Sequence, residues 1–135
     1  ESWFANMKIF SSTGTLVYSD SPLKLILSVD QGISDFYFST VPKTFKIRKQ
    51  MYPAHVSVVR NSSVPKYEFW GKYSGKVIEF EYEDMVYNDE TYYWLNVFCK
   101  DLEEIREELG LTKSGDVSLS PDGRHKFHIT IGNSK

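Results

Sequence analysis

Two short stretches of the chain place a histidine two residues before a hydroxyl side chain. They are His55–Ser57, which reads HVS, and His128–Thr130, which reads HIT, in a chain that has only three histidines. In a β-strand, residues i and i+2 point to the same face of the sheet. Each stretch therefore predicts a strand with an imidazole and a hydroxyl on one face and apolar side chains for the core on the other.

Two imidazoles can divide the roles of acid and base, because histidine titrates close to neutral pH, with an ordinary pKa of ~6.5. A neutral ring can take a proton from an attacking water or hydroxyl, and a protonated ring can give one to a leaving oxygen. Two hydroxyls can hydrogen-bond the free oxygens of a phosphate held between the rings. The residues that we predict to be catalytic are His55, Ser57, His128 and Thr130.

The same residues are a poor set of metal ligands, since zinc or non-haem iron would need a further histidine or a carboxylate. Cys99 is the only cysteine, which excludes an internal disulfide and a cysteine-based zinc site. It stands in the strand-like run YYWLNVFCK, where we interpret it as buried packing. We predict that the protein uses no metal and no cofactor.

Length and charge narrow the class of protein further. A chain of 135 residues is predicted to form one domain, residues 1–135, with a real core. Its net charge of −2 argues against a protein that coats long nucleic acids, but a nucleotide or a short RNA needs only a local basic patch. No apolar run approaches the length of a membrane span, so we predict no membrane partner and a cytoplasmic location.

Strands and helices that could position the two histidine stretches follow from hydrophobic periodicity and turn signals. One short helix is predicted from Ile33 to Val41, ended by Pro42, and a second lies in DLEEIREELG, with Asp101 as N-cap and Gly110 as C-cap. The order β-β-α-β, repeated once, predicts an α+β fold of two similar lobes with mostly antiparallel sheet. The predicted strands are Thr13–Ser19, Leu23–Asp30, His55–Arg60, Lys76–Asp84, Tyr92–Lys100 and His125–Ile131.

Residues near the two stretches could bind the rest of a substrate. Arg60 and Lys135 extend the histidine strands and could contact a phosphate. Tyr52 and Trp70 could stack on a base, because aromatic rings accept any base. The alternatives are solvated strand ends for the two cations and core packing for the rings. His125 shares a strand face with Phe127 and not with His128, so we interpret it as non-catalytic.

The segments AHVSVVR and FHITIGN resemble the two His-x-Ser/Thr motifs of the two-histidine (2H) phosphoesterases, which are bilobal phosphodiesterases of RNA ends and cyclic nucleotides. GTLVY, WGKYSGKVIEFEY, YYWLNVF and LEEIREELGL extend the similarity over nearly the whole chain, and they resemble a phage-associated branch described as RNA-repair-like. Ser57 stands where threonine is commoner in the family, and serine supplies the same hydroxyl.

The resemblance implies a bilobal fold in which two mostly antiparallel sheets line a central cleft, with the helices outside and the four catalytic residues at its floor. It implies metal-independent hydrolysis of 2′,3′-cyclic phosphates, 2′-5′ links or cyclic oligonucleotides, with His128 as base and His55 as acid. A phage-encoded member would act in the host cytoplasm. The alternative function is a non-catalytic module that binds or sequesters nucleotides, such as a phage anti-defence protein.

Overall fold

The structure is a computed structural model that describes residues 8–60, 63–113 and 127–135. Its α-helices are α1 (Gln31–Thr40) and α2 (Lys100–Glu108), and two single turns of 3-10 helix lie at Lys43–Phe45 and Tyr67–Phe69. Its strands are β1 (Ile9–Asp20), β2 (Leu23–Val29), β3 (Arg48–Lys49), β4 (His55–Arg60), β5 (Val77–Glu83), β6 (Tyr87–Asn88), β7 (Tyr92–Phe98) and β8 (Phe127–Asn133).

All the strands described belong to one antiparallel sheet, in the order β3-β8-β4-β2-β1-β5-β7-β6. A further pairing of β8 with β7 closes six of these strands into a ring, β8-β4-β2-β1-β5-β7. The two-residue strands β3 and β6 lie beside the ring, on β8 and β7. The architecture is therefore a closed six-stranded antiparallel barrel with two short helices.

The prediction of a bilobal α+β fold with two sheets lining a cleft is wrong. The long strands and the helices follow the predicted order, but the two halves are hydrogen-bonded to each other along both edges. One edge joins β4 to β8, and the other joins β1 to β5. β1 begins four residues before the predicted strand, at Ile9 instead of Thr13, and its early residues pair with β5. This extension merges two expected sheets into one.

One contiguous cluster of buried apolar residues joins the ring to both helices. Leu25, Leu27 and Leu95 are fully buried at alternating positions of their strands, as half-apolar strands require. Other members of this cluster come from α1, from α2 and from the residue that caps α2, namely Tyr37, Leu102, Ile105 and Leu109. We call the strand face that carries this cluster the apolar face and the opposite one the polar face.

Cys99 is buried between β7 and α2, which confirms the prediction for the only cysteine. Burial raises the pKa of its thiol above the ordinary value. Its sulfur lies 3.5 Å from the Glu79 carbonyl oxygen. The side chain is therefore part of the packing in this region.

Capping explains most of the helix boundaries. α1 begins after Asp30, whose carboxylate accepts a hydrogen bond from the Gly32 amide at 2.9 Å. α2 begins two residues earlier than predicted, because Asp101 lies inside the first turn and Cys99 occupies the N-cap position. After α2, Gly110 adopts a φ of +83°, as its predicted capping role requires. Within the described ranges, neither helix is long and apolar enough to cross a lipid bilayer.

Candidate functional site

The two histidine motifs lie on neighbouring strands of the barrel. Val56 of β4 is paired directly with Ile129 of β8, and both side chains are 0% exposed. Because side chains alternate along a strand, the residues that flank these two point to the polar face. The four flanking residues, all half-buried, are His55, Ser57, His128 and Thr130.

The central pair also determines how the two motifs face each other. In an antiparallel ladder a step forward on one strand matches a step backward on its neighbour. Extended by one residue on either side, the register of the Val56–Ile129 pair places Ser57 across from His128 and Thr130 across from His55. The two histidines occupy diagonal positions, which in a regular ladder are about 7–8 Å apart. This spacing leaves room for a phosphate between the rings.

A local hydrogen bond fixes the orientation of the His55 ring. Its Nδ1 lies 2.8 Å from the Pro53 carbonyl oxygen, which can only accept, so this nitrogen carries a proton. Proton exchange with a ligand is thus left to Nε2. The start of β4 is anchored at Ala54, whose amide donates to Gln31 Oε1 and whose carbonyl accepts from the Val29 amide.

A buried polar network lies next to His128 on the polar face. Asn96 of β7 stands across from this histidine and is 1% exposed, and the Trp94 ring lies 6.4 Å from the imidazole. Trp94 Nε1 donates to Asn96 Oδ1, and Asn96 Nδ2 donates to Glu83 Oε1, both at 3.0 Å. The same carboxylate oxygen accepts from the Tyr87 hydroxyl. The surroundings of His128 are therefore dense and hydrogen-bonded.

A β-bulge follows the hydroxyl residue of the first motif. Two consecutive residues of β2 pair with Ser57 and Val59, so Val58 is an extra residue in β4. Strict alternation would turn Arg60 to the apolar face. After the bulge, Arg60 instead pairs with Lys24 and shares the polar face with the histidines. The predicted phosphate ligand is therefore on the same face as the catalytic candidates.

The second motif also has a β-bulge, at the same distance from its histidine. Consecutive residues of β7 pair with Thr130 and Gly132, so Ile131 is the extra residue of β8. The carbonyl oxygen of Ile131 accepts a hydrogen bond from the Gln50 amide at 3.2 Å. Beyond the bulge, Asn133 occupies the position that corresponds to Arg60. Asn133 is one of the site residues that the sequence analysis missed.

Gly132 is required by the close passage of a neighbouring strand. A Cβ at this position would lie 2.7 Å from the Arg48 carbonyl oxygen and 3.1 Å from the Ile47 side chain. Atoms do not approach so closely without backbone movement, so only glycine fits beside β3. The glycine in FHITIGN thus has a packing role, while the corresponding residue of the first motif is the buried Val59.

The two predicted base-stacking residues lie in different surroundings. Tyr52 is 65% exposed in the segment that leads to His55, where its ring is free of the core. Trp70 is held by its neighbours, because its indole nitrogen donates to Asp20 Oδ1 at 3.0 Å and its ring meets Tyr18 edge-on at 5.0 Å. Tyr52 therefore suits stacking on a ligand better than Trp70, whose contacts are those of a packing residue.

Lys135 lies beyond β8, where its ammonium group stands 4.9 Å from the centroid of the Tyr92 ring. Its backbone amide donates to Asn133 Oδ1 at 3.1 Å. Since Tyr92 pairs with Asn133, the cation lies beyond the bulge of the second motif, at the end of β8. Lys135 and Arg60 are thus at opposite ends of the candidate site.

Several residues of the site gave little signal in the sequence. Glu83 resembles the exposed Glu79 and Glu81 of the same strand in the sequence, yet Glu83 is only 6% exposed. Asn96 stands in an apolar run, where a lone amide was the one available indication of a buried network. The third histidine, His125, lies outside the described residues, so its non-catalytic interpretation stays a prediction.

Within the described parts of the chain, no three histidine, cysteine, aspartate or glutamate side chains form a group that could hold a metal ion. Comparison with known proteins gave no match to the chain among family models, curated proteins or solved structures.

Proposed function

We propose that this protein is a phosphodiesterase that hydrolyses a nucleotide phosphodiester by acid–base catalysis with two histidines and without a metal ion. The observation that carries the proposal is the pairing of Val56 with Ile129. Around this pair, the two His-x-Ser/Thr motifs are related by a local twofold arrangement on one strand face. The barrel differs from the expected bilobal fold, so support comes from this geometry and from the motifs, not from the fold.

In the proposed reaction, water attacks the phosphorus atom while the imidazole of His128 accepts a proton from it. The bond between phosphorus and the leaving ribose oxygen breaks, and His55 Nε2 gives that oxygen its proton. Ser57 and Thr130 donate hydrogen bonds to the non-bridging oxygens, where negative charge increases in the transition state. Side chains supply the acid, the base and the phosphate ligands, so the scheme has no step that requires a metal.

The proposed substrates are short or small: RNA ends with a 2′,3′-cyclic phosphate, 2′-5′-linked oligonucleotides, or cyclic oligonucleotides. Arg60, which shares the polar face with both histidines, supplies a positive charge for a phosphate next to the one that reacts. Tyr52, exposed beside the first motif, supplies a ring for a base. A net charge of −2 fits a small ligand bound by local contacts better than a long polyanion.

The test is a screen of these three substrate classes in buffer with excess EDTA, with products identified by mass spectrometry. We expect one class to be cleaved by the native chain and left uncut by the His55→Ala/His128→Ala double variant. Turnover that requires an added divalent ion would contradict the proposed chemistry. Tight binding of a nucleotide without any cleavage would instead identify the protein as a sequestering module.

A further inference from the structure

Arg106 is a charged residue on the buried side of α2. It is only 8% exposed, and it stands beside the apolar positions Leu102, Ile105 and Leu109 that pack on the sheet. Burial of a guanidinium is costly unless its donors are hydrogen-bonded. The cost predicts that this side chain has specific partners.

Those partners connect the helix to the β4 bulge. Arg106 Nη1 donates to the Val58 carbonyl oxygen at 2.6 Å, and Nε donates to the Thr112 carbonyl oxygen at 2.7 Å. Val58 is the extra residue of the bulge, the type of position that leaves the regular ladder. The guanidinium thus supplies a bond to the backbone at the point where β4 departs from regular pairing.

The bulge determines where the next residues of β4 point. With Val58 as the extra residue, Arg60 shares the polar face with His55 and Ser57, while loss of the bulge would turn it to the opposite face. We infer that Arg106 is a positioning residue, which holds the bulge and thereby keeps Arg60 on the phosphate-binding face. This inference rests on the proposed function, since it explains how Arg60 is held in the proposed phosphate-binding site.

The experiment measures the binding of inorganic phosphate by amide NMR titration in four proteins: the native chain, Arg60→Ala, Arg106→Lys and the double variant. Lysine keeps the charge at position 106, but its single ammonium group cannot reproduce the planar set of N–H donors of the guanidinium. We expect each single variant to weaken phosphate binding about fivefold or more, and we expect the double variant to bind no worse than Arg60→Ala. That lack of additivity is the signature of action through Arg60, which a purely structural role would not give.

A matched control is Thr112→Val, which removes the hydroxyl that lies 3.5 Å from Arg106 Nη2 but leaves the bond from Nη1 to Val58 in place. We expect it to bind phosphate as the native chain does. If Arg106→Lys does not fold, Arg106→Gln replaces it in the same four-way comparison, with its amide spectrum as the check on folding.

Two results would overturn the inference: native phosphate affinity in a folded Arg106 variant, or losses that add in the double variant. Failure of the proposed function is distinguishable from both. In that case the native chain itself would bind no phosphate and cleave no substrate, whereas here the native chain binds phosphate and only the role of Arg106 is refuted.

Discussion

The half of the barrel around His55 and the half around His128 have the same order of elements, but different contacts hold their histidines and bulges. Each has two long strands, a helix and a histidine strand, together with one two-residue strand, and each histidine strand has a bulge directly after its hydroxyl residue. We refer to them as the β4 half, residues 9–60, and the β8 half, residues 77–113 with 127–133. The comparison shows that two copies of one His-x-Ser/Thr motif can be held in place by different kinds of contact.

The residues across from the two histidines differ in burial. Ser28 stands across from His55 and is exposed, whereas Asn96 stands across from His128 and is buried. Orientation of His55 therefore depends on its own bond to the Pro53 carbonyl. Orientation of His128 is constrained by a dense environment that includes the Trp94 ring.

The two bulges are also held by different donors. In the β4 half the extra carbonyl, that of Val58, accepts from the side chain of Arg106. In the β8 half the extra carbonyl, that of Ile131, accepts from the backbone amide of Gln50. Beyond the bulges, the first half presents the cation Arg60 and the second half presents the neutral amide of Asn133.

The largest effect expected is on the histidines themselves. His55→Ala and His128→Ala should each lower turnover by roughly 10²–10⁴-fold, the usual contribution of one general acid or base. The two variants should separate on a substrate with sulfur as the leaving atom, which needs little protonation. It should restore turnover in His55→Ala far more than in His128→Ala, as steady-state rates would measure. The opposite pattern would exchange the acid and the base.

The same roles give a bell-shaped dependence of turnover on pH, since one ring must be neutral and the other protonated. Under the proposed mechanism, turnover should fall at low pH, where the base is protonated, and at high pH, where the acid has lost its proton. With the sulfur-leaving substrate, the decrease at high pH should disappear while the decrease at low pH remains. A profile that is the same for both substrates would be inconsistent with an acid role for His55.

A second difference should appear in stability. Asn96→Ala removes the acceptor of the Trp94 indole and a donor to the buried Glu83 carboxylate, so we expect a loss of about 2–4 kcal/mol in the free energy of unfolding. The matched change Ser28→Ala, at the exposed position of the β4 half, should cost less than about 0.5 kcal/mol. Urea denaturation measures both. Equal losses of stability would contradict the expectation that the buried Asn96 contributes more to folding than the exposed Ser28.

The hydroxyls should have a smaller effect on activity than the histidines. Ser57→Ala and Thr130→Ala each remove one hydrogen bond to a charged phosphate, which should lower kcat/KM by roughly 10- to 100-fold. Ser57→Thr and Thr130→Ser keep the hydroxyl and serve as controls, with kcat/KM within a few-fold of the native value. Kinetics of all four variants would reveal whether the hydroxyl, rather than the shape of the side chain, is what matters.

The smallest effects are expected at the two residues beyond the bulges. Arg60→Ala should raise KM about tenfold at low ionic strength, and the loss should shrink as salt screens the charge. Asn133→Ala should raise KM less, without dependence on salt, because an amide carries no net charge. A salt series of KM values for both variants tests this. Salt-independent loss in Arg60→Ala would mean that the cation does not bind phosphate.

Alternation of side chains was sufficient to predict the faces of the histidine strands but not their partners. The buried Val56 and Ile129 follow the expected pattern, and their strand bounds differ from the prediction only at β8. Val58 and Ile131 could not be recognised as bulge residues from their own types, because both are β-branched residues that are ordinary in a regular strand.

The closure of the barrel was likewise outside what local patterns can predict. It depends on pairing between Ile9–Thr15 and Val77–Glu83, which are more than sixty residues apart in the chain. Hydrophobic periodicity describes which face of a strand is buried, whereas the choice of neighbour is made by the packing of the whole sheet. The two-residue strands β3 and β6 are too short for any periodicity to be visible.

The two groups that donate hydrogen bonds to the bulge carbonyls differ in how many amino acids can supply them. Every amino acid except proline supplies a backbone amide, so substitutions at position 50 other than proline keep the donor to Ile131. The bond to Val58 depends on one side chain, and a single nucleotide change in the arginine codon removes it. A random point mutation would therefore change the bulge geometry of the β4 half more often than that of the β8 half. Heritable variation in ligand preference should arise first on the side of His55.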